Sequence, residues 1–173
     1  MIETERLVIA PLAFHDLEEV RLLHNHPETL KWLSDSHLVE PKEQYSWFET
    51  LEKSNTSSRF VVRTKVDSKL IGVFRSDRLD LENKSVEIGL DVDFPYRRLG
   101  FGREIYNSLI PYYFHELRLN RLSLITLETN RAAIALYESL GFIKEGLLRQ
   151  AIWRGSTFVN ALQYALLREE YYH

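Results

Sequence analysis

Three groups of residues in this chain have types and spacings that can do chemistry. The first is Arg97-Arg98-Leu99-Gly100-Phe101-Gly102-Arg103, which follows the alternating run Ser85-Val86-Glu87-Ile88-Gly89-Leu90-Asp91-Val92 and precedes a helix-like pattern. A strand that turns through a basic, glycine-punctuated loop into a helix presents backbone N–H groups with no Cβ in the way. The helix N-terminus adds partial positive charge. Together these make a cradle for a phosphate. The second group is Asn130 and Tyr137, seven positions apart and therefore two turns along one helix face, with Ala133 between them. Ala132, Ala133 and Ala135 leave room for a ligand to pass close to that helix. The third is Glu87, a carboxylate in an otherwise apolar strand that leads into the cradle and aims it toward the same cleft. His24 and His26 lack a third ligand at a spacing that would complete a metal site, so no metal is expected.

These groups need a scaffold, and 173 residues suffice for one domain with a real core. The composition is that of an ordinary soluble protein, 45% hydrophobic and 27% charged. A net charge of −3 argues against a dedicated nucleic-acid binder, which would favour a basic balance. With no cysteine, disulfides, thiolate zinc sites and cysteine nucleophiles are excluded. No apolar run approaches the ~20 residues that span a bilayer. The acidic start, Met1-Ile2-Glu3-Thr4-Glu5-Arg6, is unlike a signal peptide, so a cytoplasmic location is expected.

The hydrophobic pattern predicts the elements that position the candidate residues. A first strand spans 6–12, a helix capped by Asp16 follows, and Pro27 ends it. A short helix covers 28–33, and Pro41 opens a longer one to about Lys53. Its aromatics Tyr45, Trp47 and Phe48, like Trp32 before them, read mainly as core, a minority of them walling a binding pocket. Three strands with short turns fall at 59–66, 70–78 and 84–92, which favours antiparallel neighbours. The helix after the glycine loop runs from about 102 to 117 and should bend at Pro111. A strand at 121–127, a helix at 130–140 stopped by Gly141, and final strands at 142–150 and 158–167 complete the chain. The expected fold is α/β (α+β): a mixed, mostly antiparallel sheet of about seven strands flanked by helices, in one domain over 1–173.

With these elements in place, Arg97-x-x-Gly100-x-Gly102 resembles the acetyl-CoA pyrophosphate loop of the GNAT N-acetyltransferase superfamily. Asn130…Ala133…Tyr137…Leu140-Gly141-Phe142 is similar to its later helix, which ends in Gly-Phe. The opening Thr4-Glu5-Arg6-Leu7-Val8-Ile9-Ala10-Pro11-Leu12 and the tail Glu145-Gly146-Leu147-Leu148-Arg149-Gln150…Trp153-Arg154-Gly155-Ser156 resemble the branch holding ribosomal-protein, spermidine and amino-sugar acetyltransferases. The resemblance implies the acyl-CoA N-acyltransferase fold and direct transfer from acetyl-CoA, as co-substrate, to a bound amine. Glu87 would take the proton of an ammonium whose pKa is near ~10. The Tyr137 hydroxyl would protonate the departing thiolate. Backbone groups at Leu90 and Val92 would hold the pantetheine arm and supply an oxyanion donor. Arg97, Arg98, Leu99, Gly100, Phe101, Gly102 and Arg103 would hold the pyrophosphate, and Asn130 would also touch the donor.

In the ribosomal-protein branch a serine stands three residues after the asparagine; here it is Ala133, which tilts the expected acceptor toward a small molecule, a polyamine or an amino sugar. A protein N-terminus is the alternative acceptor, and a non-catalytic acyl-CoA-binding or sensor domain the alternative class. A dinucleotide-binding oxidoreductase fits poorly, because hairpin-connected strands and no βαβ unit precede the glycines. No nucleic acid, membrane or metal partner is expected, and the chain is expected to be a monomer or homodimer.

Overall fold

The computed structural model describes residues 1–172. In chain order it holds strands β1 (Ile2–Glu3) and β2 (Leu7–Pro11), helices α1 (Leu17–Asn25), α2 (Pro27–Leu30) and α3 (Pro41–Glu52), and strands β3 (Ser58–Thr64), β4 (Leu70–Asp80) and β5 (Ser85–Val92). Then come α4 (Phe101–Pro111), β6 (Arg121–Leu127), α5 (Arg131–Ser139), β7 (Ile143–Trp153), β8 (Phe158–Leu167) and α6 (Arg168–Tyr171). One open sheet runs in the order β1-β2-β3-β4-β5-β6-β8-β7, so it has eight strands. The extra strand is the two-residue β1, too short to show a period of two in sequence. All neighbours are antiparallel except β5 and β6.

The sheet has two differently covered faces. On one, α4 buries Ile105, Tyr106, Leu109 and Ile110 against Leu7, Val62, Phe74, Val86 and Ile88. On the other, Val20 and Leu23 of α1 pack against Val61, Leu70 and Val73. Because successive strand residues face opposite sides, Val86 and Ile88 point to α4 while Glu87, Gly89 and Asp91 face the α1 side. The residue between Val73 and Asp77 on that same side of β4 is Arg75.

The expected bend at Pro111 takes a specific form. The α-helix ends there, and a π-helical turn, Tyr112–Glu116, carries the chain on. Proline has no N–H for the i→i−4 bond, and the wider turn accommodates that loss while keeping Tyr113 and Phe114 buried. Asp16 sits in a short 3₁₀ turn ahead of α1; its carboxylate accepts from the Ala13 N–H at 2.9 Å instead of capping α1.

Candidate functional site

Register creates the site. The parallel pair β5–β6 is joined only at Ser85–Glu87 against Arg121–Ser123. Beyond it, β5 stays paired to β4 as far as Val92 and β6 stays paired to β8 as far as Leu127. The two strands therefore part, and Ile88 to Val92 carries a backbone edge facing β6 with no strand partner among the described residues. Unpaired strand groups are ready to bond an extended ligand. Leu90 and Val92 lie on this edge.

The glycine loop closes one end of the cleft. Asp93 caps a 3₁₀ turn, Phe94–Tyr96, by accepting from the Phe94 N–H at 2.8 Å. Arg98 and Gly100 then take left-handed backbone, φ 62° and 84°. Gly100 is the N-cap of α4 and supplies no side-chain cap, so the first helical N–H groups are available to an anion. Arg6 braces the far side, donating to the Leu99 carbonyl at 3.1 Å and to Glu104 Oε2 at 2.7 Å, with its guanidinium 4.2 Å from the Phe101 ring centre.

The side chains of this loop divide their tasks in a way the motif does not reveal. Arg97 points away from the cradle: Nε donates to the Val92 carbonyl and Nη1 to the Glu28 carbonyl, both at 2.7 Å, and Nη2 to Thr29 Oγ1 at 3.2 Å. It clamps the loop to α2, and burial lowers its pKa from the usual guanidinium value. Arg103 is likewise turned to α5, donating to Ser139 Oγ at 2.8 Å. A Cβ on Gly102 would stand 3.1 Å from Leu136, so that glycine brings α4 close to α5. Arg98 is exposed. The side chains of Arg97 and Arg103 thus hold the loop, and the cradle consists of backbone with Arg98 beside it.

Asn130 caps α5, its Oδ1 accepting from the Ala133 N–H at 3.2 Å. Two turns on, Tyr137 is 7% exposed, its ring edge-on to Tyr106 at 5.8 Å and tilted on Phe142 at 6.0 Å. Desolvation pushes its hydroxyl pKa up, which keeps it protonated as a donor. Beneath it the buried Tyr106 hydroxyl has no hydrogen-bond partner among the described residues.

The carboxylates sort differently from the sequence expectation. Glu87 stands at the paired start of β5, where Oε2 accepts from Arg78 Nη1 at 2.9 Å and Oε1 lies 3.8 Å from Arg75 Nη1. Asp91 lies on the same face beyond the parting of the strands. Its side chain is partly buried. Desolvation raises its pKa above the usual carboxylate range, against the pull of Arg75, His24, Arg97 and Arg59. The period-two alternation with Glu87 is the sequence signal that marks it. Arg75 had no such signal, because its place opposite Gly89 follows from register.

The remaining candidates have structural tasks. His26 Nδ1 accepts from the Glu28 N–H at the start of α2, and His24 meets the His37 carbonyl at 3.2 Å. Among the described residues no group of three or more His, Cys, Asp or Glu is placed to hold a metal. Phe48 is core, Tyr45 is exposed and stacked on Phe14, and Trp32 is partly buried against the cluster of Leu127, Ile152 and Ala161. No helix of the described residues is long and apolar enough to cross a membrane.

Residues 6–143 match the family model described as an acetyltransferase (GNAT) domain. An uncharacterised N-acetyltransferase, p20, of Bacillus licheniformis is 28% identical over 97% of this chain and 96% of its own length. The spermidine N(1)-acetyltransferase of Vibrio cholerae is 25% identical over 96% and 95%. A crystal structure of spermidine N-acetyltransferase from V. cholerae, in complex with CoA and spermine, superposes with a TM-score of 0.91 over 98% of this chain and all (100%) of that one, at 23% identity.

Proposed function

The chain belongs to the GNAT acetyltransferase family, and from that premise we propose that it acetylates the primary amine of a small molecule, with Asp91 and Tyr137 as its proton carriers. It is an N-acetyltransferase with acetyl-CoA as co-substrate. The observation that carries the reading is the opening between β5 and β6, with α4, whose N-terminus has no side-chain cap, following β5, and α5, which carries Tyr137, following β6. In this reading the pyrophosphate rests on backbone N–H groups of residues 98–103, and the pantetheine arm bonds the free edge at Leu90 and Val92. Asn130 holds the start of α5 beside it.

The chemistry then needs two proton carriers. Asp91 accepts one proton from the acceptor ammonium, exposing the nitrogen lone pair. That nitrogen bonds to the thioester carbonyl carbon, the C–S bond breaks, and the Tyr137 hydroxyl gives its proton to the leaving sulfur. The attacking nitrogen, which carries one proton more than the amide keeps, passes it through water to restore the tyrosine, and Asp91 releases its own to solvent. Glu87, the base expected from sequence, has an oxygen occupied by Arg78, and we assign it the anchoring of that arginine. A base whose pKa is raised toward the working pH is the better match to the task.

A protein N-terminus is the second reading, supported by the putative ribosomal N-acetyltransferase YdaF of Bacillus subtilis, 30% identical over 61% of this chain. Ala133, where that branch carries serine, counts against it. The test is release of free CoA thiol by the purified chain with small amines and with peptides. Release with peptides alone selects the second reading. Binding of acetyl-CoA with no release on any amine selects a non-catalytic acyl-CoA-binding domain. Light scattering tests the proposed monomer or homodimer, and the dodecamer of the V. cholerae enzyme makes a larger assembly the competing result.

A further inference from the structure

The α1-facing side of β3, β4 and β5 carries a set of charges that is unevenly paired. Two of its carboxylates have hydrogen-bonded arginine partners, Asp77 accepting from Arg59 and Glu87 from Arg78, both at 2.9 Å, and Arg63 donates to Asp16 ahead of α1 at 2.8 Å, whereas Asp91 has no such partner. Arg75 differs. None of its N–H groups makes a hydrogen bond to another described residue. The nearest carboxylate oxygens, Asp77 Oδ2 and Glu87 Oε1, lie 3.6 and 3.8 Å from its Nη1. Both contacts are too long for a hydrogen bond and fall on one nitrogen of three. Its side chain is 33% exposed. Its N–H donors thus have no hydrogen-bonded partner among the described residues, and a planar fork of this kind suits an oxyanion that can accept two of them in parallel.

The position of this fork is fixed by the bare backbone of Gly89. A Cβ there would stand 2.5 Å from Arg75 Nε and 2.7 Å from Nη2, so the guanidinium lies flat across that residue. Gly89 is two residues beyond the last β5–β6 pair, at the mouth of the opening. Asp91 is two residues further along the same face, about 7 Å by strand rise. The positive charge of Arg75 reaches the site, pulling down the pKa values of both Asp91 and Tyr137 against their desolvation. An acceptor nitrogen delivered to Asp91 therefore has the guanidinium as its immediate neighbour. A polycation placed there meets a like charge, with Asp77 and Glu87 already engaged. An acceptor whose amine is followed within a few atoms by an anion meets both of its partners.

Resting on the small-molecule reading above, we propose that Arg75 selects the acceptor by binding an oxyanion, a carboxylate or a phosphate, borne by the same small molecule as the reacting amine. The substrate class is then the acidic or zwitterionic primary amine, and polyamines are excluded by the charge of Arg75. The test is a thiol-release screen of the full chain with acetyl-CoA saturating. It compares amino acids with their methyl esters, an aminoalkyl phosphate with the matching amino alcohol, and glucosamine 6-phosphate with glucosamine, with spermidine alongside. The anion-bearing member of a pair should win in kcat/KM by about 10–100-fold, the worth of a charged hydrogen-bonded pair. Which pair responds tells carboxylate from phosphate.

Arg75→Gln should erase that preference, bringing the anionic and uncharged members of each pair together in kcat/KM while acetyl-CoA affinity stays in place, and Arg75→Lys should restore part of it. Gly89→Ala provides a second route, since its Cβ displaces the guanidinium while leaving the charge in the protein; it too should lower kcat/KM for the anionic amine. A purely structural arginine would instead lower the melting temperature of the variants without changing which amine is preferred. Preference for spermidine or for the uncharged member of every pair overturns the proposal. An unchanged preference in both Arg75→Gln and Gly89→Ala also overturns it. Failure to acetylate any amine would sink the enzymatic reading itself, and this proposal with it, whereas a wrong preference sinks only this one.

Discussion

Replacing Arg97 with alanine distinguishes a clamp from a ligand-binding arginine. The side chain makes two 2.7 Å bonds to the carbonyls of Val92 and Glu28 and one of 3.2 Å to Thr29 Oγ1. Hydrogen bonds from a charged donor are worth about 1.5–3 kcal/mol each, but these three share one desolvation cost and one half-buried group, so about 2–4 kcal/mol in total is expected. For a chain of this size each kcal/mol moves the melting temperature by about 2–4 °C, so Arg97→Ala should melt about 5–15 °C lower. Acetyl-CoA binds the folded form and should recover part of that loss in a melt with added ligand. Arg98→Ala is the control: an exposed side chain beside the cradle should leave the ligand-free melting temperature alone and weaken acetyl-CoA binding. The reasoning fails if Arg97→Ala melts like the wild type while acetyl-CoA no longer raises its melting temperature, because the guanidinium would then be contacting the donor.

Three further outcomes are expected. Tyr137→Phe retains the ring against Tyr106 and Phe142 and loses only the hydroxyl, so kcat should drop by about 10² with the acetyl-CoA KM unchanged; an unaltered kcat would remove Tyr137 from the chemistry. Desolvation raises the Asp91 pKa, so the folded chain holds that proton more tightly than the unfolded chain does. The stability this gives is full below the unfolded carboxylate pKa and disappears as pH climbs through the raised value. Asp91→Asn should therefore melt higher than wild type above that range while losing the acid limb of the kcat/KM profile; a limb that persists would return the base role to Glu87. Gly141→Ala forces a φ of +89° on a residue with a Cβ, which has ordinary clearance of 3.6 Å from Leu166, so the cost is conformational. About 1–2 kcal/mol, or about 2–8 °C in thermal denaturation, is expected, with asparagine tolerated better than alanine.

Local chemistry was legible from the chain. The alternation in 85–92, the glycines at 100 and 102, the cap at Asn130 and the stop at Gly141 each act within a turn or a strand. Period and propensity therefore disclose the β5–loop–α4 unit and the α5 helix, and the motif residues within them carry the family resemblance that the comparisons bear out. Tertiary structure decided what each side chain faces. Arg97 looks like a phosphate ligand in the motif, yet it bonds Glu28 and Thr29, which are remote in sequence and adjacent only after α2 packs on the loop. Glu87 and Asp91 share a face in any strand. Only the register against β4 and the early end of the β5–β6 pairing separate the arginine-bound carboxylate from the one beyond the last β5–β6 pair. Arg75 carries no local mark at all, and its place over Gly89 comes from a cross-strand pairing. A one-dimensional pattern records the period of a strand, whereas the partner of a charge is set by long-range pairing between residues that are neighbours only in the folded sheet.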